Sequence, residues 1–296
     1  MKINIKELRL SYSGANTWSS CRMKYYWNYE QNLRRKGTDR NLQIGSIVHE
    51  LLHMHYVDEV IPADLEAYVE AKYRNEANSA NGEGTSSVEV AFEALRLVQG
   101  YLQKYDTSDP LKVISSEMKI ELPRKEPETG REYSVYMIID AVARNQEGRL
   151  WRLEHKTAAR VDSYYLSGLR SGLQGGIYHY GLNQVMPEPI VGTIYNMLVK
   201  TKIPNYQRMP VLMQQGLAER AVQTFDGVAR QIFLGDVYPD AGACFNFNRE
   251  CPYIPLCHQY KGEWNDGLER IKNSFFEEYR PKEEAKGGEG GTEEES

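Results

Sequence analysis

The sequence predicts an α/β fold in which helices flank a mixed β-sheet and the N-terminal portion is helical. Two observations support this prediction. Apolar residues recur every three or four positions through much of the first hundred residues, whereas three segments between 113 and 157 alternate apolar and polar residues. Helical spacing returns beyond these segments, on either side of one more strand-like stretch.

The N-terminal helices are expected after a short starting strand. An aromatic and basic helix is predicted over 17–31 and a second helix over 47–56. The region 62–105 is also helical in pattern. Within it, the Gly- and Ser-rich stretch 78–87 predicts a loop, because these residues favour turns over helix interiors.

Three strands are predicted over Val113–Leu122, Tyr133–Arg144 and Arg149–Thr157. The turn 145–148 joins the second to the third, so the three segments make an antiparallel core.

One helix that includes Leu166 and Ile177 is predicted next, followed by a strand over 190–200 and a helix over 211–234. A sheet containing these strands would have helices on its faces. No internal repeat accompanies the pattern.

Length and composition predict one main domain over residues 1–280. The chain has 296 residues, of which 41% are hydrophobic and 26% charged. The segment 281–296 is rich in Gly and Glu and is expected to be a disordered acidic tail. A formal net charge of −5 does not exclude a nucleic-acid-binding protein, since binding needs only a local basic surface.

The N-terminal residues predict a cytoplasmic protein. They alternate charged and apolar side chains without the apolar core of a signal peptide, and no segment is apolar for long enough to span a bilayer. In a reducing cytosol the four cysteines are poor candidates for disulfides. Metal binding and simple burial are therefore the alternatives for them.

The strongest catalytic signal lies on the predicted hairpin. Asp140 stands about as far before the turn as Glu154 stands after it, so antiparallel pairing would place the two carboxylates side by side. Lys156 points to the same face as Glu154. A divalent cation such as Mg²⁺ or Mn²⁺ relieves the repulsion and can activate water against a phosphodiester. The alternative is a surface ladder of ion pairs.

Together with the segments Gly45–His49 and Gln174–Tyr178, the hairpin resembles the PD-(D/E)xK nuclease superfamily, and within it the RecB-like and AddB-like exonuclease branch. The resemblance implies a restriction-endonuclease-like fold and a Mg²⁺- or Mn²⁺-dependent deoxyribonuclease. It implies DNA contacts by Gln174 and Tyr178, and roles for the hairpin residues and their neighbours. The implied metal ligands are His49, Asp140, Glu154 and the backbone carbonyl of His155; the implied catalytic residues are Asp140, Glu154 and Lys156. Glu117, on the preceding strand, is a further metal-site candidate that could hold a second ion or a water.

The sequence departs from that branch in two places. The residue before Asp140 is Ile139 rather than proline, a departure that many members of the branch tolerate, and Met137 stands where a glycine is often found. Both positions flank the carboxylate and leave the charged residues intact.

The cysteines consist of one near the N-terminus, Cys21, and three in the C-terminal segment, Cys244, Cys251 and Cys257. Four thiolates suit a [4Fe-4S] cluster or a structural zinc ion, although paired CxxC motifs typical of zinc are absent. The resemblance, which extends to AddB and the CRISPR-associated adaptation nuclease, implies a [4Fe-4S] module formed by 17–31 and 240–262 that joins the two ends. The gap of six residues after Cys244 is longer than that pattern.

A second motif competes on the same helix. His49-Glu50-Leu51-Leu52-His53 reads as HExxH, the pattern of zinc metalloproteases, but no partner motif supplies a third ligand. A protease is therefore a remote alternative to the nuclease.

Basic residues surround the aromatic helix and are candidates for DNA contacts, Arg22 and Lys24 above all, unless they only solvate a helix face. The predicted activity is exonucleolytic cleavage at DNA ends or single strands, in recombination, repair or viral DNA processing. A helicase or recombination partner and an oligomer are compatible with it. The alternative is a non-catalytic DNA-binding or assembly subunit with the same fold.

Overall fold

The computed structural model describes residues 1–37, 39–79, 84–105, 109–246 and 249–279. The chain divides into two compact units. The terminal unit contains residues 1–5, 13–37 and 231–296, and the central unit contains residues 6–12 and 38–230.

Helices and strands alternate along the chain in an α/β arrangement. The helices of the described residues are α1 (Tyr12–Ser20), α2 (Arg22–Tyr25), α3 (Arg40–Val57), α4 (Pro62–Ser79), α5 (Gly84–Tyr105), α6 (Ser163–Ser171), α7 (Leu173–Val185), α8 (Gln215–Leu234), α9 (Ile254–Gln259) and α10 (Asp266–Phe275). The strands are β1 (Arg9–Ser11), β2 (Leu33–Arg35), β3 (Leu111–Lys125), β4 (Glu132–Asn145), β5 (Leu150–Ala158), β6 (Ile190–Val199), β7 (Asn205–Leu212), β8 (Phe245–Asn246), β9 (Arg249–Glu250) and β10 (Phe276–Glu278).

A mixed six-stranded sheet forms the centre of the central unit. Its path is β1-β4-β5-β6-β7, and β3 also pairs with β4. The β3–β4, β4–β5 and β6–β7 pairs are antiparallel, while β1–β4 and β5–β6 are parallel. The parallel β5–β6 pair needs a crossover, which α6 and α7 provide. The predicted mixed sheet flanked by helices is therefore confirmed.

An apolar cluster holds the helical layer of this unit. Leu51 of α3, Leu65 of α4 and Val98 of α5 are each fully buried in it, together with Leu198 of β6. Burial of a large aliphatic side chain contributes roughly 1.5–3 kcal/mol, so this cluster fixes α3, and the residues it carries, relative to the sheet.

Helix boundaries differ from the predictions in the N-terminal half. The helix predicted over 17–31 begins at Tyr12 and is interrupted at Cys21, where the backbone is extended. The helix predicted over 47–56 begins at Arg40, because the Asp39 side chain caps it by accepting a hydrogen bond from the Asn41 amide. The helices extend into the predicted loop 78–87, because α4 continues to Ser79 and α5 begins at Gly84. Residues 80–83 lie outside the described part.

Two further predictions were wrong in the C-terminal half. The helix through Leu166 and Ile177 is two helices, separated at Gly172, whose extended backbone ends α6. The helix predicted over 211–234 begins only at Gln215, because β7 pairs with β6 through Leu212. The predicted tail 281–296 lies outside the described residues.

The terminal unit combines α1, α2, a π-helical turn over Tyr26–Glu30, and the C-terminal elements. β2 pairs antiparallel with β10, and Trp18 and Trp27 are fully buried. Of the helices that the structure describes, none has both the length and the apolar character needed to cross a bilayer.

Candidate metal centre and cysteine group

The β4–β5 hairpin brings two carboxylates to one level of the sheet. The register that pairs Ala141 with Leu153 places the next residues, Asp140 and Glu154, opposite each other. The backbone amide of His155 donates a hydrogen bond to Asp140 Oδ2 at 2.8 Å, which fixes that carboxylate. The hairpin geometry expected from the sequence is present.

His49 of α3 and Glu117 of β3 complete a compact group with Asp140. His49 Nδ1 lies 3.5 Å from Asp140 Oδ1 and 3.8 Å from Glu117 Oε1. One ligand atom from each residue lies within 4.8 Å of the others, a spacing that could hold a metal ion. One imidazole and two carboxylates suit a divalent cation such as Mn²⁺ or Mg²⁺.

Backbone geometry supports this grouping. His49 Nε2 lies 3.2 Å from the backbone carbonyl oxygen of His155, an acceptor that orients the ring so that Nδ1 faces the two carboxylates. Glu117 has a φ of 51°, a left-handed conformation that costs a non-glycine residue energy inside a strand. Ser116 beside it donates to the Asp140 carbonyl at 2.9 Å, which holds the distorted segment against β4.

Glu154 is held by cations rather than by the compact group. Lys156 Nζ donates to Glu154 Oε1 at 2.5 Å, and Arg152 Nη1 lies 3.3 Å from Glu154 Oε2. The Glu154 side chain is only 2% exposed. Lys156 also donates to Gln174 Oε1 of α7 at 3.2 Å, which joins the hairpin to the predicted DNA-contacting helix.

The charges of the site shift its pKa values in opposite directions. Burial lowers the pKa of His49, but the charges of Asp140, Glu117 and Glu154 outweigh it and raise that pKa to about 9. Burial and the charge of Glu154 raise the pKa of Asp140. Burial raises the pKa of Glu154, yet Arg152 and Lys156 bring it below the ordinary value. One carboxylate therefore stays ionised while its neighbour holds a proton more readily.

Arg152 is a residue that the sequence analysis missed. Its side chain is 1% exposed, its Nε donates to Thr193 Oγ1 at 3.0 Å, and its guanidinium carbon lies 5.0 Å from the centre of the Tyr178 ring. The alternation Arg-x-Glu-x-Lys on one strand face was the available signal, since Glu154 and Lys156 already defined that face.

Tyr165 of α6 was missed as well. Burial raises the pKa of its hydroxyl, and the charges of Lys156 and Glu154 act on it in opposite directions. Tyr165 packs against the apolar cluster that contains Tyr195 and Met197 of β6, the strand next to β5. On α7, Tyr178 lies one helical turn after Gln174. Burial raises the pKa of the Tyr178 hydroxyl and the Gln174 side chain lowers it, so the two predicted DNA contacts lie together.

The His155 side chain faces away from solvent on the buried side of β5. It is 3% exposed, and Asn196 Nδ2 lies 3.4 Å from its Nδ1. Arg208 donates to Asn196 Oδ1 at 2.9 Å and ion-pairs with Asp109. Burial holds the pKa of His155 well below its usual range, so the ring is neutral and supports the strand.

The other residues of the HExxH motif make different contacts. Glu50 ion-pairs with Lys72 at 2.5 Å and accepts from Tyr68. His53 Nδ1 lies 3.1 Å from Ser116 Oγ. Neither residue belongs to the metal-binding group found among the described residues, which does not favour a zinc protease.

All four cysteines lie in the terminal unit and none forms a disulfide. Burial raises the pKa of Cys257 to about 11 and also raises that of Cys251, and the charges of Cys21 and Cys244 contribute to both shifts. Cys21 and Cys244 therefore both act on the thiols of Cys251 and Cys257. No three of them lie within 4.8 Å of each other, whereas a tetrahedral zinc site with 2.3 Å bonds needs about 3.8 Å.

Two N–H groups point at these sulfurs. The Trp27 indole donates to Cys257 Sγ at 3.3 Å, and the backbone amide of Asp240 donates to Cys21 Sγ at 3.4 Å. Donors of this kind stabilise thiolates that bind metal. The Cys244 thiol donates to the Asp240 carbonyl at 3.7 Å.

Arg22, a predicted DNA contact on the aromatic helix, engages groups of the chain itself. It donates to Gln231 and lies over the Tyr238 ring. Other basic residues of the segment also have intrachain partners. They are Arg34 with Tyr279, Lys36 with the Asn273 carbonyl and Arg40 with Glu93.

Comparisons with known proteins place this geometry in context. The profile of the PD-(D/E)XK nuclease superfamily matches residues 9–258. The crystal structure of a "putative exonuclease" from Eubacterium rectale is similar with a TM-score of 0.50 at 12% identity, covering 90% of this chain and 93% of that one. The structure of SSO0001 has a TM-score of 0.31 at 16% identity, covering 64% and 84%. No curated protein matches the sequence significantly.

Proposed function

The chain belongs to the PD-(D/E)XK nuclease superfamily, and from that premise we propose that it is a Mg²⁺- or Mn²⁺-dependent deoxyribonuclease of the RecB-like exonuclease branch. The observation that carries this proposal is the gathering of His49, Glu117 and Asp140 beside the Glu154–Lys156 pair. Recombination, repair or viral DNA processing in the cytoplasm would suit such an enzyme.

Each side chain has a distinct part in the proposed reaction. His49, Glu117, Asp140 and the His155 carbonyl would hold the cation, with Glu154 beside them. A cation so held supplies an activated water and neutralises charge on the phosphodiester. Lys156, an ammonium kept charged by Glu154, would stabilise the negative charge that develops on the phosphate.

We also propose that the cysteine group holds a [4Fe-4S] cluster. A cubane cluster binds each thiolate to a separate iron, so its sulfurs stand further apart than those of a zinc site. Two observations support this assignment: the other three cysteines raise the pKa of Cys257, and N–H groups donate to Cys257 and Cys21. Such a cluster would join the two ends of the chain and stabilise the fold as a long-range cross-link does.

The alternative is a DNA-binding or assembly subunit without turnover. Retention of the histidine, the carboxylates and Lys156 in contact distance argues against it, because binding alone does not need a buried ion pair at the hairpin. A helicase or recombination partner, or an oligomer, would be compatible with either function.

A cleavage assay tests the activity. End-labelled single- and double-stranded DNA would be incubated with Mn²⁺ and the wild type, Lys156→Ala or Asp140→Ala. We expect cleavage by the wild type and a loss of at least about 100-fold in both variants, as removal of a charged stabilising group usually causes. Wild-type protein inert on every DNA form would refute the enzyme and leave the alternative subunit.

Metal analysis tests the cluster. Protein purified without oxygen should contain iron and absorb visible light, and Cys21→Ala should lose iron and stability together. Ser19→Ala, two residues away in the sequence, is the matched control and should keep its iron. Stoichiometric zinc without visible absorption would contradict the assignment.

A further inference from the structure

A cavity of about 580 Å³ lies in the central unit between the end of α6 and the β7–α8 connection. Its polar lining consists of Arg170, Ser171, Gln214 and Arg220, and no acidic residue lines it. Arg170 and Arg220 are both exposed. No intrachain acidic partner is found for either arginine among the described residues, so both guanidinium groups remain able to bind an anion from solution.

This cavity is close to the candidate metal centre. Gln174 lies four positions after Arg170 in the chain, so their Cα atoms are at most about 14 Å apart. Gln174 accepts a hydrogen bond from Lys156. Since charges repeat about every 3.4 Å along one strand of a DNA helix, a strand with one phosphate at the metal centre would have others within reach of the cavity.

Charge distinguishes this cavity from its neighbour. A second cavity, of about 630 Å³, is lined by Glu188 and Glu219 and would repel a phosphate. The whole protein carries a net charge of −5, so attraction for DNA has to come from local cations. Arg22, Arg34, Lys36 and Arg40 near the aromatic helix have intrachain partners. Arg170 and Arg220 have no acidic partner among the described residues.

We infer that the cavity lined by Arg170 and Arg220 binds backbone phosphates of the DNA strand whose scissile bond lies at the metal centre. This inference rests on the proposed nuclease function and extends it by assigning where the strand is held. Phosphate contacts of this kind position the strand without reading its sequence. Leu212 and Leu217 also line the cavity. Their apolar side chains can pack against sugar and base but have no hydrogen-bonding group that would distinguish one base from another.

Salt-dependent DNA binding tests the inference without cleavage. Binding of a labelled single-stranded oligonucleotide would be measured by anisotropy over a series of KCl concentrations, with Ca²⁺ in place of Mg²⁺. Each phosphate contact contributes about 0.7 to the slope of log K against log salt for single strands. Arg170→Ala with Arg220→Ala should therefore lower the slope by about 1.4, equally for different sequences, while Arg170→Lys with Arg220→Lys should retain it.

The control removes equal charge elsewhere. Lys125 and Arg131 lie at the β3–β4 turn beside Glu132, and Asp140 is about 26 Å further along β4 from Glu132. Replacing Lys125 and Arg131 by alanine should therefore leave the slope unchanged. A wild-type slope in the Arg170/Arg220 variant, with wild-type DNA binding intact, overturns the cavity assignment alone. Absence of DNA binding and cleavage by the wild type overturns the proposed function and the assignment with it.

Discussion

Replacing Arg152 by methionine tests how the site keeps Glu154 ionised. Arg152 and Glu154 are 1% and 2% exposed, so water cannot replace the guanidinium when it is removed. Breaking a buried pair by removing one partner costs roughly 3–5 kcal/mol. Nη1 and Nη2 of Arg152 make no hydrogen bond, and Lys156 still contacts Glu154 in the variant. The expected loss of unfolding free energy is therefore near the lower end of that range. We expect unfolding free energy to fall by about 3 kcal/mol.

The assay is equilibrium unfolding in urea for three proteins: wild type, Arg152→Met, and Arg152→Met combined with Glu154→Gln. Removing the orphaned charge should restore about 1 kcal/mol or more relative to the single variant, because contacting groups couple by about that amount. Lys156 is partly exposed, so water can solvate its ammonium in the double variant. Equal stability losses in the single and double variants would refute the reasoning.

A surface pair provides the matched control. Arg144 also pairs with a glutamate, Glu188, but both side chains are substantially exposed. Arg144→Met should change stability little, because water solvates the partner that remains. Arg152→Met should also weaken Mn²⁺ binding roughly 10- to 100-fold, as loss of groups that orient a metal ligand usually does. Calorimetric titration with Mn²⁺ measures that effect separately from cleavage.

Three further predictions follow from the site and its packing. The pKa of His49 is raised to about 9, so protonated His49 stabilises the metal-free protein fully below about pH 6.5, and this stability is lost as the pH rises through 9. Mn²⁺ affinity should rise over the same pH range, because the metal binds the neutral imidazole. Urea unfolding and Mn²⁺ titration at several pH values measure the two effects, and profiles that do not change with pH would contradict them. His53→Ala should retain DNA cleavage and His49→Ala should lose it, since only His49 faces the carboxylates; equal loss in both would revive the HExxH interpretation. Gly176→Ala should destabilise the protein by about 1–3 kcal/mol, because the added Cβ would lie 2.8 Å from the Leu217 carbonyl oxygen. Gly168→Ala should stabilise α6 by up to about 1 kcal/mol, because the added Cβ would meet no atom within 4 Å. Thermal unfolding of both variants shows whether the two changes have opposite signs.

The β3–β5 segment shows what local pattern alone determines. Alternation of apolar and polar residues over parts of these segments predicted three antiparallel strands, and the short turn 145–148 predicted which two form a hairpin. Register followed from the distance of each residue to that turn, so the opposition of Asp140 and Glu154 could be predicted. These features depend on neighbours in the sequence.

β7 shows where local pattern fails. The segment Asn205–Leu212 contains a proline and has no long apolar alternation, and its strand conformation comes from hydrogen bonding to β6. The break at Gly172 likewise depends on packing, since the apolar spacing continues across it from Leu169 to Leu173. Such boundaries are set by tertiary contacts that outweigh local propensity.

The site divides in the same way. The sequence by itself determined the fold class, the hairpin carboxylates and Lys156, because spacing along strands fixes them. Only the tertiary structure brought His49 and Glu117 to Asp140, placed Arg152 beside Glu154, and directed Arg22 of the aromatic helix to Gln231. Long-range contacts decide these features, because burial and charge pairing depend on which elements pack together.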